Sequence, residues 1–239
     1  MVTMNLDIRS TVGEWVVDRP SRSRVFEELG IDYCCGGKQP LEDACRDKGL
    51  AAEQVVRALL AVDEPTGTAD RDWSAALLSE LCDHIEATHH EYLRRELPRL
   101  ASLTEKVAKV HGPNHGEMIE LHAVVAGLKA ELGDHMMKEE QILFPMIREL
   151  EHAVSFPSFH CGSIGNPIRV MEFEHDSAGG ALARMRELTH DHSCPDDACN
   201  TWRAMVDGLR QLETDLHQHI HKENNILFPR ALRRERELA

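Results

Sequence analysis

The stretch HMMKEEQILFP, from His135, is written again from His219 as HIHKENNILFP, with seven of eleven positions identical. Each copy opens on a histidine, places a glutamate four residues later, and is embedded in apolar residues at helical spacing. Four residues make just over one turn of α-helix, so the imidazole and the carboxylate lie on one face, which is also the apolar one. A lone pair of this kind is usually a solvated ion pair, but a carboxylate on a buried stripe is rarely tolerated unless it is paired or binds a metal. The chain must therefore fold so that two inward His-x-x-x-Glu pairs find partners, and an internal duplication accounts for them.

Followed outward, the same periodicity predicts four long helices over about 74–108, 116–150, 167–190 and 197–235. In the second, Leu128, Leu132, Ile142, Leu143 and Met146 share the stripe with His135 and Glu139. In the fourth, Leu209, Leu212, Leu216, Ile226 and Leu227 share it with His219 and Glu223. The third carries Ile168, Met171, His175, Ala178 and Leu182 on one face, and the first carries Ala87, His90, Leu93, Leu97 and Leu100. His89 sits about 100° round the helix from that face, which makes His90 the inward member of the pair. Strand-like alternation is absent, so the fold class is all-α, with an antiparallel four-helix bundle.

The spacings extend the duplication to a whole helical hairpin. His90 to His135 is 45 residues and His175 to His219 is 44, while His90 to His175 is 85 and Glu139 to Glu223 is 84. Two hairpins related by a pseudo-two-fold axis would bring four imidazoles and two carboxylates to one level of the core. That set suits two metal ions, each held by two histidines and both bridged by Glu139 and Glu223. Imidazole and carboxylate without thiolate favour iron, manganese or zinc, and positions remain open for oxo bridges and small molecules.

Ahead of the bundle, AVDEPTGTAD (61–70) has the composition of a linker, which divides the chain into an N-terminal unit, 1–62, and the bundle, 70–239. In the N-terminal unit Ser21 is placed to cap a helix that stops at Gly30, and LEDACRDKGL and AAEQVVRALLAV continue the helical period. Between them the turn-forming DYCCGGKQP carries adjacent Cys34 and Cys35. The flanking glycines are expected to leave both thiols accessible, with Lys38 placed to hold a thiolate. A net charge of −14 argues against nucleic acid and anionic membrane as partners. No apolar run is long enough to span a bilayer, the N-terminus lacks the features of a signal peptide, and seven irregularly spaced cysteines make no disulfide framework. A reducing cytoplasm is the expected location. The polar HDHSCPDDAC (190–199) reads as a connection between helices.

DYCCGGKQ (32–39), HMMKEEQILFP, MEFEHDSAG (171–179) and HKENNILFPRAL (221–232) together resemble the iron–sulfur cluster repair di-iron family, the RIC proteins of the YtfE and ScdA type. The resemblance spans essentially the whole chain. It implies a small helical N-terminal domain bearing the paired cysteines, followed by a hemerythrin-like four-helix bundle. It implies two non-haem iron ions in an oxo-bridged centre, with the ligands falling on His90, His135, Glu139, His175, His219 and Glu223. A carboxylate at the position of Glu131, one turn before His135 and expected to face inward, would line a channel to the irons; it could equally support a ligand imidazole. The connection 151–167 is longer than in the shortest family versions and adds His160 and Cys161; it reads as a mobile loop near the bundle end.

The implied role is restoring iron–sulfur clusters damaged by nitric oxide or peroxide, with damaged or apo iron–sulfur proteins as partners. Cys34 and Cys35 would receive iron or electrons from the di-iron site. Chemistry on nitric oxide itself ranks second. Oxygen binding ranks third, because oxygen carriers of the hemerythrin type use five histidines and only four lie on the inward stripes. A dinuclear hydrolase would want a general base and a substrate cleft, neither of which the sequence displays. A homodimer is left open.

Overall fold

The computed structural model describes residues 6–62 and 72–239, and among them every regular element is helical. The predicted linker lies outside the described residues, apart from Ala61 and Val62 at its start.

In the N-terminal unit, α1 (Val12–Asp18) begins at a capping box that periodicity alone does not reveal. The Glu14 backbone N–H donates to Thr11 Oγ1 at 3.2 Å, and the Thr11 N–H donates to Glu14 Oε2 at 2.8 Å. Ser21 does not cap the next helix. A single 3₁₀ turn, Pro20–Arg22, runs directly into α2 (Ser23–Leu29), so the chain is already helical at Ser21 and the turn begins at Pro20, whose fixed φ suits that place. Gly30 ends α2 at φ +64, where a side chain would be strained. Then come α3 (Leu41–Asp47) and α4 (Ala52–Ala61), and Trp15, Phe26, Tyr33, Leu41 and Leu59 fill a small core among the four helices.

Three of the four arms of the bundle are interrupted. The first runs α5 (Leu78–Ile85), a π turn (Glu86–His90) and α6 (Glu91–His111). The second runs α7 (Glu117–Lys138), a π turn (Glu139–Leu143) and α8 (Phe144–His152). The third is α9 (Gly165–Leu188), and the fourth runs α10 (Asn200–Lys222), a π turn (Glu223–Leu227) and α11 (Phe228–Leu238). The repeated Phe-Pro falls just after a π turn in both copies, where a proline, lacking an N–H, is tolerated better than in a continuous helix. These turns shift the helical phase: Ala87, expected on the inner face, is exposed. Ile142 also departs from its predicted burial, at 42 % exposed, because among the described residues nothing covers that flank of the first copy.

The bundle has two apolar cores. One is built from α6, α7, α9 and α10 around Leu97, Leu128, Leu182 and Leu212; the other, from α5, α8, α11 and the start of α9, surrounds Ile85, Phe144, Ile168 and Phe228. Between them lies a layer of buried histidine and glutamate. The N-terminal unit docks beside that layer, and Cys34 packs into the first of the two bundle cores. In the connection 151–167, His160 is exposed, whereas Cys161 is partly buried and packs on the second core.

Candidate metal centre

The three π turns each deliver one polar side chain to the layer: His90 ends the first, and Glu139 and Glu223 begin the other two. His135 and His219 come from the turn just before, and His175 projects from uninterrupted α9. All six are buried, and both glutamates have no exposure. Glu139 presents Oε2 to His90 Nε2 at 3.2 Å and Oε1 to His135 Nε2 at 3.4 Å. Glu223 presents Oε1 to His219 Nε2 at 3.1 Å and Oε2 to His175 Nε2 at 3.0 Å. The side chains thus form two groups, His90 with His219 and His135 with His175, and each group takes one oxygen from each glutamate.

Of these four approaches only that of His219 Nε2 to Glu223 Oε1 has hydrogen-bond geometry. Among the described residues, neither oxygen of Glu139 receives a hydrogen bond, nor does Glu223 Oε2, and His90 Nε2 has no partner. Buried, unsatisfied carboxylates cost several kcal/mol each (on the order of 2–7 for a polar group) unless something binds them. Two cations between the groups would satisfy all four atoms, so the donor set fits a binuclear metal site.

The imidazoles are oriented from behind. His90 Nδ1–H donates to Glu140 Oε1 at 2.7 Å, His135 Nδ1–H to Glu174 Oε2 at 2.9 Å, and His175 Nδ1–H to Asn224 Oδ1 at 2.8 Å. Arg94 in turn grips Glu140, and Lys138 grips Glu174. Such partners fix the tautomer and leave Nε2 to face a metal. Burial works against charging His135, but Glu139, Glu223 and Glu174 outweigh it and raise its pKa to about 9. Burial likewise opposes ionising Glu223, yet His219 and His175 hold it well below the usual carboxylate range. Without metal His135 therefore carries a proton, which an ion taking its Nε2 would displace.

Glu131 does not face this layer. It is exposed on α7 and accepts a bond from Ser177 Oγ at 3.2 Å, because the inward positions on that side of the helix belong to Leu128, Leu132 and His135. The carboxylates that support the imidazoles are Glu140 and Glu174. Each adjoins a predicted site residue, one just after Glu139 and one just before His175, and that adjacency was the available signal.

The vicinal cysteines also differ from expectation. Cys34 is only 3 % exposed. Lys38 binds Glu172 at 2.6 Å rather than a thiolate. Asp32 takes the nearby role: it accepts from the backbone N–H groups of Cys34, Cys35 and Gly36 and from Cys34 Sγ. A hydrogen bond with Cys35, then burial and the Asp32 charge, push the Cys34 pKa up, so this thiol stays protonated. Cys35 Sγ lies 3.4 Å from the carbonyl oxygen of His175, and Gly179 leaves room for it. The ligand atoms of Asp32, Cys34 and Cys35 lie within 4.8 Å of one another.

The bundle and its layer define a hemerythrin-like metal protein. The family model for the Hemerythrin HHE cation binding domain matches residues 83–231, and the ScdA_N model, a Domain of Unknown function (DUF542), matches 8–63. A Haemophilus influenzae protein named "Probable iron-sulfur cluster repair protein" is 39% identical over 222 residues, 92% of this chain and 96% of that one. The "Iron-sulfur cluster repair protein YtfE" of Dickeya chrysanthemi is 40% identical over 94% of this chain and 97% of its own. Its namesake from an Escherichia coli O17:K52:H18 strain is 41% identical over 92% and 96%. The chain belongs to the YtfE/ScdA family of iron–sulfur cluster repair proteins. Among the described residues no helix is long and apolar enough to cross a membrane.

Proposed function

We propose that this protein restores damaged iron–sulfur clusters by supplying iron from the buried layer. His90, His135, His175 and His219 would serve as terminal ligands, and Glu139 and Glu223 would be shared between the two non-haem irons of the oxo-bridged centre that the family resemblance implies. Bound there, the pair supplies iron that is redox-active and incompletely enclosed by protein. The observation that carries the reading is the sharing of both carboxylates between two groups of buried imidazoles. Damaged or apo iron–sulfur proteins are the recipients, and Cys34, Cys35 and Asp32, one residue's breadth from His175, are the first acceptor on the way out. Imidazole and carboxylate hold ferrous iron less firmly than a thiolate cage would, which suits a donor.

A five-histidine oxygen site finds no support. His89 is buried beside His219, but Asp215 and Lys222 occupy both its ring nitrogens. The test is recovery of a nitric-oxide-damaged dehydratase with the iron-loaded wild type, with Glu139→Ala, and with Cys34→Ser and Cys35→Ser combined. Wild type should restore activity, Glu139→Ala should fail, and the double cysteine variant should deliver slowly with its iron content unchanged. Equal recovery by all three rejects delivery. Consumption of nitric oxide with no iron lost would assign the centre to nitric oxide chemistry instead.

A further inference from the structure

The duplication is broken at one position beside the metal layer. Glu174 immediately precedes His175, and its counterpart, preceding His90, is His89. In the first motif copy Lys138, Glu174 and His135 form a chain that ends with the carboxylate holding the imidazole Nδ1–H. In the second copy the lysine is retained as Lys222, but it donates to His89 Nε2 at 3.0 Å. His89 Nδ1–H is turned to Asp215 Oδ1 at 2.9 Å, so no ring nitrogen is left for His219. The two rings merely stack, parallel to within 4° at 5.4 Å. His219 Nδ1 is consequently buried with no partner among the described residues, as is Asp215 Oδ2, one turn earlier on the same helix.

His89, Asp215 and Lys222 also line a cavity of about 460 Å³ that separates this flank of the bundle from Val16 and Ser21 of the N-terminal unit. The side of the layer with the unanchored imidazole is thus also the side backed by open space.

Resting on the binuclear reading, we propose that the ion held by His90 and His219 is the exchangeable one, loaded and released past His89, while the ion held by His135 and His175 is retained. His135 and His175 are both fixed through Nδ1, whereas of the other two only His90 is. Loss of such a support typically weakens metal binding about 10–100-fold. His89 is a positioning residue whose identity sets the release rate.

The full-length protein, loaded anaerobically with ferrous iron, is mixed with excess ferrous chelator and the coloured complex is followed by stopped flow. Release should come in two phases of one iron per chain, separated by about tenfold or more. His89→Glu, which places a carboxylate between Lys222 and His219 as in the other half, should slow the fast phase toward the slow one. Glu174→Gln should accelerate the slow phase and leave the fast one alone, and it tests the assignment independently of whether His89→Glu folds. Two irons leaving in a single phase, or Glu174→Gln acting on the fast phase, would overturn the inference and leave the binuclear site standing. Failure to load two irons would strike the binuclear reading itself.

Discussion

The two copies of the eleven-residue motif do different work with nearly the same residues. Where they agree, at His135 and His219 or Glu139 and Glu223, they build the shared layer. Where they diverge, only the second meets the N-terminal unit. Met137 is 47 % exposed, but its counterpart His221 is buried, donating from Nδ1 to the Tyr33 carbonyl at 3.3 Å. Gln141 is exposed, but Asn225 donates to the carbonyls of Tyr33 and Cys34 at 3.2 and 3.3 Å. Even an identical residue diverges by context: Ile142 is 42 % exposed and Ile226 6 %, because α1 packs on the second π turn. The differences between Met137 and His221 and between Gln141 and Asn225 thus mark the docking of the cysteine-bearing unit, whereas Glu140 and Asn224 differ while each anchors a ligand imidazole.

The largest effect should come from a position the copies share. Glu139→Ala and Glu223→Ala should each disturb both irons, since each carboxylate reaches both groups. Metal analysis that finds one iron lost and the other unchanged would break the symmetry. The next contrast uses the shared isoleucine. Ile226→Lys should cost several kcal/mol (on the order of 2–5) and Ile142→Lys at most about 0.5 in thermal or denaturant unfolding. Equal costs would mean that the N-terminal unit does not cover the second copy.

Asn225→Ala should cost about 1–3 kcal/mol by stranding two carbonyls, while Gln141→Ala should be close to neutral. Gly37→Ala attacks the same contact from the other side, because its Cβ would lie 2.6 Å from both the Tyr33 carbonyl and Asn225 Oδ1. Limited proteolysis within 6–62 should accelerate in both Asn225→Ala and Gly37→Ala, with the iron content of the bundle retained.

Much of this layer was legible because a duplication preserves spacing as well as residue type. His90, His135, His175 and His219 could be chosen from fifteen histidines by phase and by intervals of 44, 45 and 85 residues. Phase failed where the helix changes pitch or where cover comes from elsewhere in the chain. Ala87 lies within a π turn, Ile142 is exposed where α1 covers its counterpart, and Glu131 lies on the outer side of α7. His89 and His221 are buried by contacts to Asp215 and Tyr33, 126 and 188 residues distant, which no local pattern encodes. The α1 cap, by contrast, was written in the sequence as Thr11-x-x-Glu14.

The smallest predicted effect lies at the far end of the bundle, where the copies also differ. Glu213 on α10 binds His192 and Arg186, while Lys129, at the same offset before the first motif, is exposed. Burial alone would raise the Glu213 pKa, but His192, Arg186 and His217 hold it below the usual range. Its folded value being depressed, the stabilisation is complete above the unfolded value of about 4.3 and is lost as pH falls through the folded one. Glu213→Gln should flatten that part of an acid-unfolding curve and leave the region above pH 6 unchanged in slope.

The central claim is that two ions share both carboxylates, and its most direct test is magnetic. Two ferric ions that share both carboxylates and the proposed oxo bridge are strongly spin-coupled, chiefly through the oxo group, so the oxidised protein carrying two irons per chain should be silent in electron paramagnetic resonance, and one-electron reduction should produce a single coupled signal. An isolated high-spin ferric signal integrating to two spins per chain would contradict it.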